Sequence, residues 1–198
     1  RLRRPSQIRD LAKYLVSNTG TEFSYRSLQG VAQINNPVTI RNYVHYLQNA
    51  YLLFELGRFS FKLKEQAKAP KKIYCIDIGL ARAAGFSFSE NFGRSMENSV
   101  AIQLLRKKSS NPFYELYYWK DHQQREVDFV VKQKEKVVQL IQVCRDLGKP
   151  NVMKRETDAL LRASRELRCN SLLVINWDFE GEKKIDGKKI KFVPLWKW

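Results

Sequence analysis

The chain has 198 residues, 43% of them hydrophobic, and sets 36 Lys and Arg against 20 Asp and Glu, for a formal charge of +16. That apolar fraction excludes an intrinsically disordered chain, and no apolar run has the length that a membrane-spanning helix needs, so no membrane partner is expected. The excess charge, present in both halves, produces a field that gathers phosphate polyanions, which makes double-stranded DNA the first expected partner; the plainer alternative is a basic surface with no polyanion to serve.

From the start of the chain, Ile8, Leu11, Ala12, Leu15 and Val16 recur at helical spacing and predict a first helix with one apolar stripe. Ser24 is placed to cap a short second helix that carries Leu28 and Val31 and ends near Gln33. Asn36-Pro37 is a strong start for a third, because asparagine can accept from the free amides of the first turn and proline suits the first helical position. Its predicted buried stripe is Ile40, Val44, Leu47 and Tyr51, leaving Thr39, Arg41, Asn42 and His45 toward solvent. Residues 52–56 and 59–63, joined through Gly57, read as the arms of a hairpin, and residues 71–76 as a further strand. Three short helices followed by a basic hairpin is the order of a winged helix-turn-helix over residues 1–85. In such a fold the third helix enters the major groove, so Thr39, Arg41, Asn42 and His45 are candidate base or phosphate contacts and Arg58, Lys62 and Lys64 candidate wing contacts. The plainer reading of the same residues is a solvated helix face.

The stretch from Gly85 to Gly93 is the predicted domain boundary. Beyond it, a helix carrying Met96, Val100, Leu104 and Leu105 precedes strands at 114–119, 127–131 and 137–143, a helix at 154–167, a strand at 171–176 and a hairpin turning at Asp186-Gly187. Residues 86–198 therefore read as an α/β sheet with helices packed on it, in a chain that is α+β as a whole. A phosphate loop is excluded, since the spacing from Gly181 to Gly187 is one residue too long and Lys189 stands where Ser or Thr is required. Cys75, Cys144 and Cys169 are widely spaced, with no C-x-x-C pair and no secretory segment, and read as reduced thiols of a cytoplasmic protein. The opening Arg1-Leu2-Arg3-Arg4, without a methionine, suggests a piece of a longer chain.

Glu97, Asp128, Gln142 and Cys144 form the second constellation of interest. A metal-dependent nuclease holds Mg²⁺ or Mn²⁺ between carboxylates at adjacent strand ends, with a lysine close by. Glu97 and Asp128 have the chemistry for weak metal binding, whereas Gln142 and Cys144 put an amide and a thiol where an acid and a lysine are wanted. Lys132 and Arg145 are possible substitutes for that lysine. Cys144 as a nucleophile with His122 or His45 as base has no motif behind it, and a small core thiol is the simpler reading.

Taken together, residues 6–65, Tyr74-Cys75-Ile76-Asp77-Ile78-Gly79-Leu80, Gly93 through Glu97-Asn98, Tyr118-Trp119, Glu126-Val127-Asp128-Phe129, Gln142-Val143-Cys144, Glu156-Thr157, Ala159-Leu160 and the terminal Val193-Pro194-Leu195-Trp196-Lys197-Trp198 resemble the C-terminal region of archaeal-type AAA+ ATPases. The resemblance spans nearly the whole chain. It implies a winged helix followed by a domain similar to PD-(D/E)xK restriction endonucleases, with Glu97, Asp128, Gln142 and Cys144 at degenerate active-site positions. It also implies a preceding ATPase domain of the same parent chain, which would bind ATP and be a partner. The expected function is thus a DNA-binding, non-cleaving module of an ATPase. An active metal-dependent endonuclease and a protein-interaction module that regulates the ATPase are the alternatives.

Overall fold

The computed structural model describes residues 5–84, 92–148 and 150–198. Arg1-Leu2-Arg3-Arg4 and most of the expected boundary, residues 85–91, lie outside the described residues.

The first unit is built from the expected helices. Helix α1 (Pro5–Ser17) buries Leu11, Leu15 and Val16 and is followed by a two-residue strand β1 (Glu22–Phe23). Ser24 and Ser27 cap each other, each backbone N–H donating to the other's Oγ at 3.0 Å, and they lead into α2 (Gln29–Ala32). In α3 (Pro37–Asn49) the Asn36 side chain accepts from Val38 N at 2.9 Å, so one free amide of the first turn is satisfied. Ile40, Tyr43, Val44 and Leu47 form the buried stripe. Tyr51 does not belong to it: the helix ends at Asn49, Tyr51 takes a left-handed φ of 54° and its ring is 81% exposed.

Strand β2 (Leu53–Gly57) pairs with β3 (Lys71–Cys75), not with residues 59–63, and the antiparallel sheet runs β1-β3-β2. The alternation of Phe59-Ser60-Phe61-Lys62-Leu63 is that of a strand, but this segment turns outward and continues into α4 (Leu63–Lys68). Phe59 N donates to Tyr118 O at 2.7 Å and Arg58 forms a single parallel bridge with Tyr118, so the backbone groups that would have closed a hairpin go to the second unit. Helix α5 (Ile78–Ala84) completes the first unit.

Helix α6 (Phe92–Ser110) opens the second unit. Strands β4 (Tyr114–Lys120), β5 (Glu126–Gln133), β6 (Lys136–Val143), β7 (Leu172–Asn176), β8 (Gly181–Ile185) and β9 (Lys188–Pro194) form one mixed sheet in the order β4-β5-β6-β7-β9-β8. The β6–β7 and β7–β9 pairs are parallel and the others antiparallel. Parallel pairing of β6 with β7 requires a crossover, which α7 (Pro150–Leu167) supplies. Asp186 and Gly187, with φ of 48° and 75°, make the tight turn between β8 and β9.

One face of the mixed sheet packs Val130, Leu140, Val174 and Phe192 against Leu160 and Ala163 of α7. On the other face, Phe129, Ile141 and Ile175 meet Val100 and Leu104 of α6, and this core also takes in Leu56 and Tyr74 from the small sheet. The two units are therefore joined by a common apolar layer. They are joined by polar groups as well, because the Asn98 amide, 1% exposed, donates to Cys75 O and accepts from Cys75 N, both at 2.9 Å.

Candidate functional site

Where β3 of the small sheet meets the start of α6 and of β5, four charged side chains converge. The Lys72 ammonium lies 2.9 Å from Glu97 Oε1, 2.5 Å from Glu126 Oε1 and 3.1 Å from Asp128 Oδ1, with its side chain 3% exposed. Tyr74, on the same face of β3 two residues on, donates its hydroxyl to Glu97 Oε1 at 2.7 Å. Lys120 of β4 reaches Glu126 Oε2 at 3.4 Å and Glu22 of β1 at 3.0 Å, which extends the network to the rim. The turn after α1 closes it from behind. Gly20, at φ 75°, donates to Ile73 O at 2.8 Å, and a Cβ there would stand 3.2 Å from Glu97 Oε2.

Asp128 and Gln142 come together as neighbours on adjacent strands. Asp128 Oδ2 accepts from Val143 N at 2.9 Å, and Gln142 Oε1 accepts from Asp128 N at 3.2 Å. The Gln142 amide then donates to Glu156 Oε2 of α7 at 2.6 Å, and Arg155 pairs with the other oxygen of Glu156 at 2.5 Å. Gln142 therefore bridges the Asp128 backbone amide and the Glu156 carboxylate through an uncharged group, where a carboxylate would have set a like charge against Glu156. Burial, followed by Glu97, pushes the Asp128 carboxyl up to about 8 despite the nearby Lys72. Burial also raises Lys72's neighbour Tyr74 well above the ordinary phenol range, with Glu97 as the next cause. For Lys72 burial works toward a lower pKa, yet Tyr74, Asp128, Glu97 and Glu126 together hold it well above the ordinary value, so it stays an ammonium.

Cys144 follows at the strand end. Its thiol donates to Asp146 O at 3.4 Å and is pushed up to about 11, by burial first and then by Glu156, which leaves it a poor thiolate nucleophile at neutral pH. Neither expected base approaches it by hydrogen bond among the described residues, and His122 and His45 are exposed. The two expected substitutes for the nuclease lysine are elsewhere: Lys132 pairs with Glu115 at 2.5 Å, and the Arg145 guanidinium lies over the Phe92 ring at 4.7 Å.

A divalent ion of the kind the nuclease resemblance implies does not fit this pocket as it stands. Mg²⁺ requires oxygen ligands at about 2.0–2.1 Å in octahedral geometry. Here the oxygens of Glu97, Glu126 and Asp128 that point inward are already bonded to an ammonium at hydrogen-bond distances, and the Gln142 oxygen is turned to a backbone amide. Among the described residues, no group of three or more His, Cys, Asp and Glu side chains is arranged to hold a metal ion.

Sequence reasoning passed over three members of this pocket. Lys72 is separated from Glu97 and Asp128 by 25 and 56 residues, and beside Lys71 it reads as half of a surface lysine pair. The signal available was parity: Lys72 alternates with Tyr74 on a strand that is buried from Lys72 onward. Glu126 and Glu156 stand in the quoted motifs, but nothing in linear order separates an acid that points inward from one that caps a strand or helix.

The other candidate surface is the outer face of α3. Arg41, Asn42 and His45 are exposed and Thr39 is half-buried. The side chains of the first three make no hydrogen bond or ion pair among the described residues. The expected wing residues are differently placed. Arg58 donates from its guanidinium to Lys120 O of the second unit, Lys62 pairs with Glu65 at 3.0 Å, and Lys64 is exposed on α4.

Residues 1–91 match the family described as Domain of unknown function (DUF8612), and residues 92–198 match Domain of unknown function (DUF4143). An uncharacterized protein of Methanocaldococcus jannaschii is 34% identical over 210 residues, covering 100% of this chain and 45% of that protein. An uncharacterized protein of Haemophilus influenzae is 26% identical over 158 residues, covering 80% of this chain and 36% of that protein. The chain thus spans less than half the length of these curated relatives. No solved structure matches it. No described helix is long and apolar enough to cross a membrane.

Proposed function

We propose that this chain, which belongs to the DUF4143 family found in the C-terminal region of AAA-type ATPase proteins, is a cytoplasmic module that binds double-stranded DNA without cutting it. The observation that carries the reading is the outer face of α3, where the side chains of Arg41, Asn42 and His45 are exposed and make no hydrogen bond or ion pair among the described residues. The order α1-β1-α2-α3-β2-α4-β3, with β3 central in its sheet, supports a winged helix with α3 as the helix that enters the major groove. The charge of +16 supports a phosphate backbone as the counterpart. The mixed sheet with α6 and α7 on opposite faces supports a PD-(D/E)xK-like second unit. Gln142, Cys144 and the ammonium of Lys72 in its pocket support loss of cleavage. ATP and the neighbouring ATPase domain belong, in this reading, to the rest of the parent protein.

A labelled-duplex titration over a series of salt concentrations, with Mg²⁺ and Mn²⁺ lanes run in parallel, tests it. The expected result is intact DNA and an affinity that falls log-linearly with salt, with the slope reduced by about one for each phosphate contact removed in Arg41→Ala/His45→Ala. Absence of duplex binding at low salt would remove the reading. Metal-dependent cutting that disappears in Asp128→Asn would replace it with a nuclease. One observation favours a protein contact as a second reading: Phe61 and Leu63, 72% and 80% exposed, stand beside each other on the connection between β2 and β3. Binding of the ATPase region in trans, lost in Phe61→Ser/Leu63→Ser, would support that contact.

A further inference from the structure

The pocket at the junction holds three acidic side chains from α6 and β5, and one cation enters it from the other unit. Four features of that cation are unusual for a lysine. Its side chain is almost wholly buried, its three donors are matched by the three acidic residues, it sits on a strand of the small sheet while all three acids belong to the second unit, and Tyr74 satisfies Glu97 from the same strand face. A buried ammonium carries a large desolvation penalty unless it is paired and fully hydrogen-bonded. The acids carry a like penalty if left without it. Each unit is therefore incomplete at this point without the other.

We infer that Lys72 is the resident cation of this pocket, so that the place a metal-dependent nuclease gives to its divalent ion serves here as an ionic joint that seats the α3-bearing unit on the mixed sheet. The inference rests on the nuclease-like reading of the second unit only for the comparison with a metal site; the joint itself rests on the distances. Side chains that face the ammonium come from every element packed on it: Glu97 from α6, Glu126 and Asp128 from β5, Tyr74 from β3 and the Tyr118 ring of β4 at 5.8 Å, with Lys120 of β4 and Glu22 of β1 on the outer side of Glu126. Lys71, the adjacent residue, is a built-in control, since it is also paired with a glutamate, Glu55 at 2.5 Å, but within the first unit and with a quarter of its side chain exposed.

The test is thermal unfolding of the whole chain and five variants, Lys72→Met, Lys71→Met, Lys72→Arg, Asp128→Asn and Lys72→Met/Asp128→Asn, with and without millimolar Mn²⁺. Lys72→Met is expected to lower Tm by on the order of 10 °C, following the loss on breaking a buried pair, and Lys71→Met by no more than a few degrees. Lys72→Arg keeps the charge and is expected to lie between wild type and Lys72→Met. Lys72→Met/Asp128→Asn, which removes an acid along with its cation, is expected to recover part of the loss; if Lys72→Met does not fold, recovery of a folded protein in this double variant carries the same information. Wild-type Tm is expected not to respond to Mn²⁺. A Lys72→Met no weaker than Lys71→Met would overturn the joint while leaving DNA binding untouched. Stabilisation of wild type by Mn²⁺ that vanishes in Asp128→Asn would overturn both the joint and the non-cleaving reading. A double variant no more stable than Lys72→Met would show that the acids are not what Lys72 neutralises.

Discussion

The outer face of α3 and the pocket around Lys72 both present basic side chains, and they use them in opposite ways. On α3, Arg41 and His45 stand exposed with no acid bonded to them among the described residues, so they add almost nothing to folding. In the pocket, Lys72 is bonded to three internal acidic side chains and is almost wholly buried. A formal charge of +16 is thus not one uniform field. Some of the charge holds the molecule together, and some of it stands unpaired on the exposed face of α3 among the described residues.

The sharpest break of this contrast is expected at the junction. Asn98→Ala removes both bonds that the buried amide gives to the Cys75 backbone, and a loss of about 2–3 kcal/mol in denaturant unfolding is expected because two buried backbone groups are left without partners. Gly20→Ala is next. A left-handed φ and a Cβ only 3.2 Å from Glu97 Oε2 make a loss of about 1–2 kcal/mol the expected outcome. Asn36→Ala, which removes the cap of α3, should lower stability by about 1 kcal/mol and weaken duplex binding only as far as the helix start frays. Arg41→Ala and His45→Ala stand at the small end, with unfolding midpoints unchanged and the salt dependence of DNA binding made shallower.

A pH series separates the two regions further. The Asp128 carboxyl, raised by burial to about 8, binds its proton more tightly folded than unfolded, where a carboxyl titrates near 3.9. Its contribution to stability is therefore complete below the unfolded value and is lost as pH rises through the folded one. Between roughly pH 4 and 8 this group makes stability fall as pH rises, and Asp128→Asn is expected to lack that part of the slope. Variants of the α3 face should keep it.

The features legible in the sequence are those fixed by local chemistry. Asn36-Pro37 set the start of α3, the spacing of Ile40, Val44 and Leu47 set its buried side, and Asp186-Gly187 set the last turn. Residues 59–63 were misread because alternation records only that one side is apolar. It does not say which strand supplies the partner, and here Phe59 docks on β4 through Tyr118 O while Phe61 and Leu63 face solvent. Tyr51 continued a helical spacing past the residue at which the helix had ended. Within the pocket, Asp128 and Gln142 were recognisable because they lie on strands that are close in sequence. Lys72 was not, because its role depends on how the two units dock, which no local pattern carries.

The most direct measurement of the account is a double-mutant cycle between Lys72 and Glu97, one residue from each unit, using Lys72→Met and Glu97→Gln in denaturant unfolding. A coupling well above about 0.5 kcal/mol, the range within which independent sites add, is the predicted result. Strictly additive losses would mean that the ammonium and the carboxylate do not act as a pair, and the ionic joint between the two units would have to be abandoned.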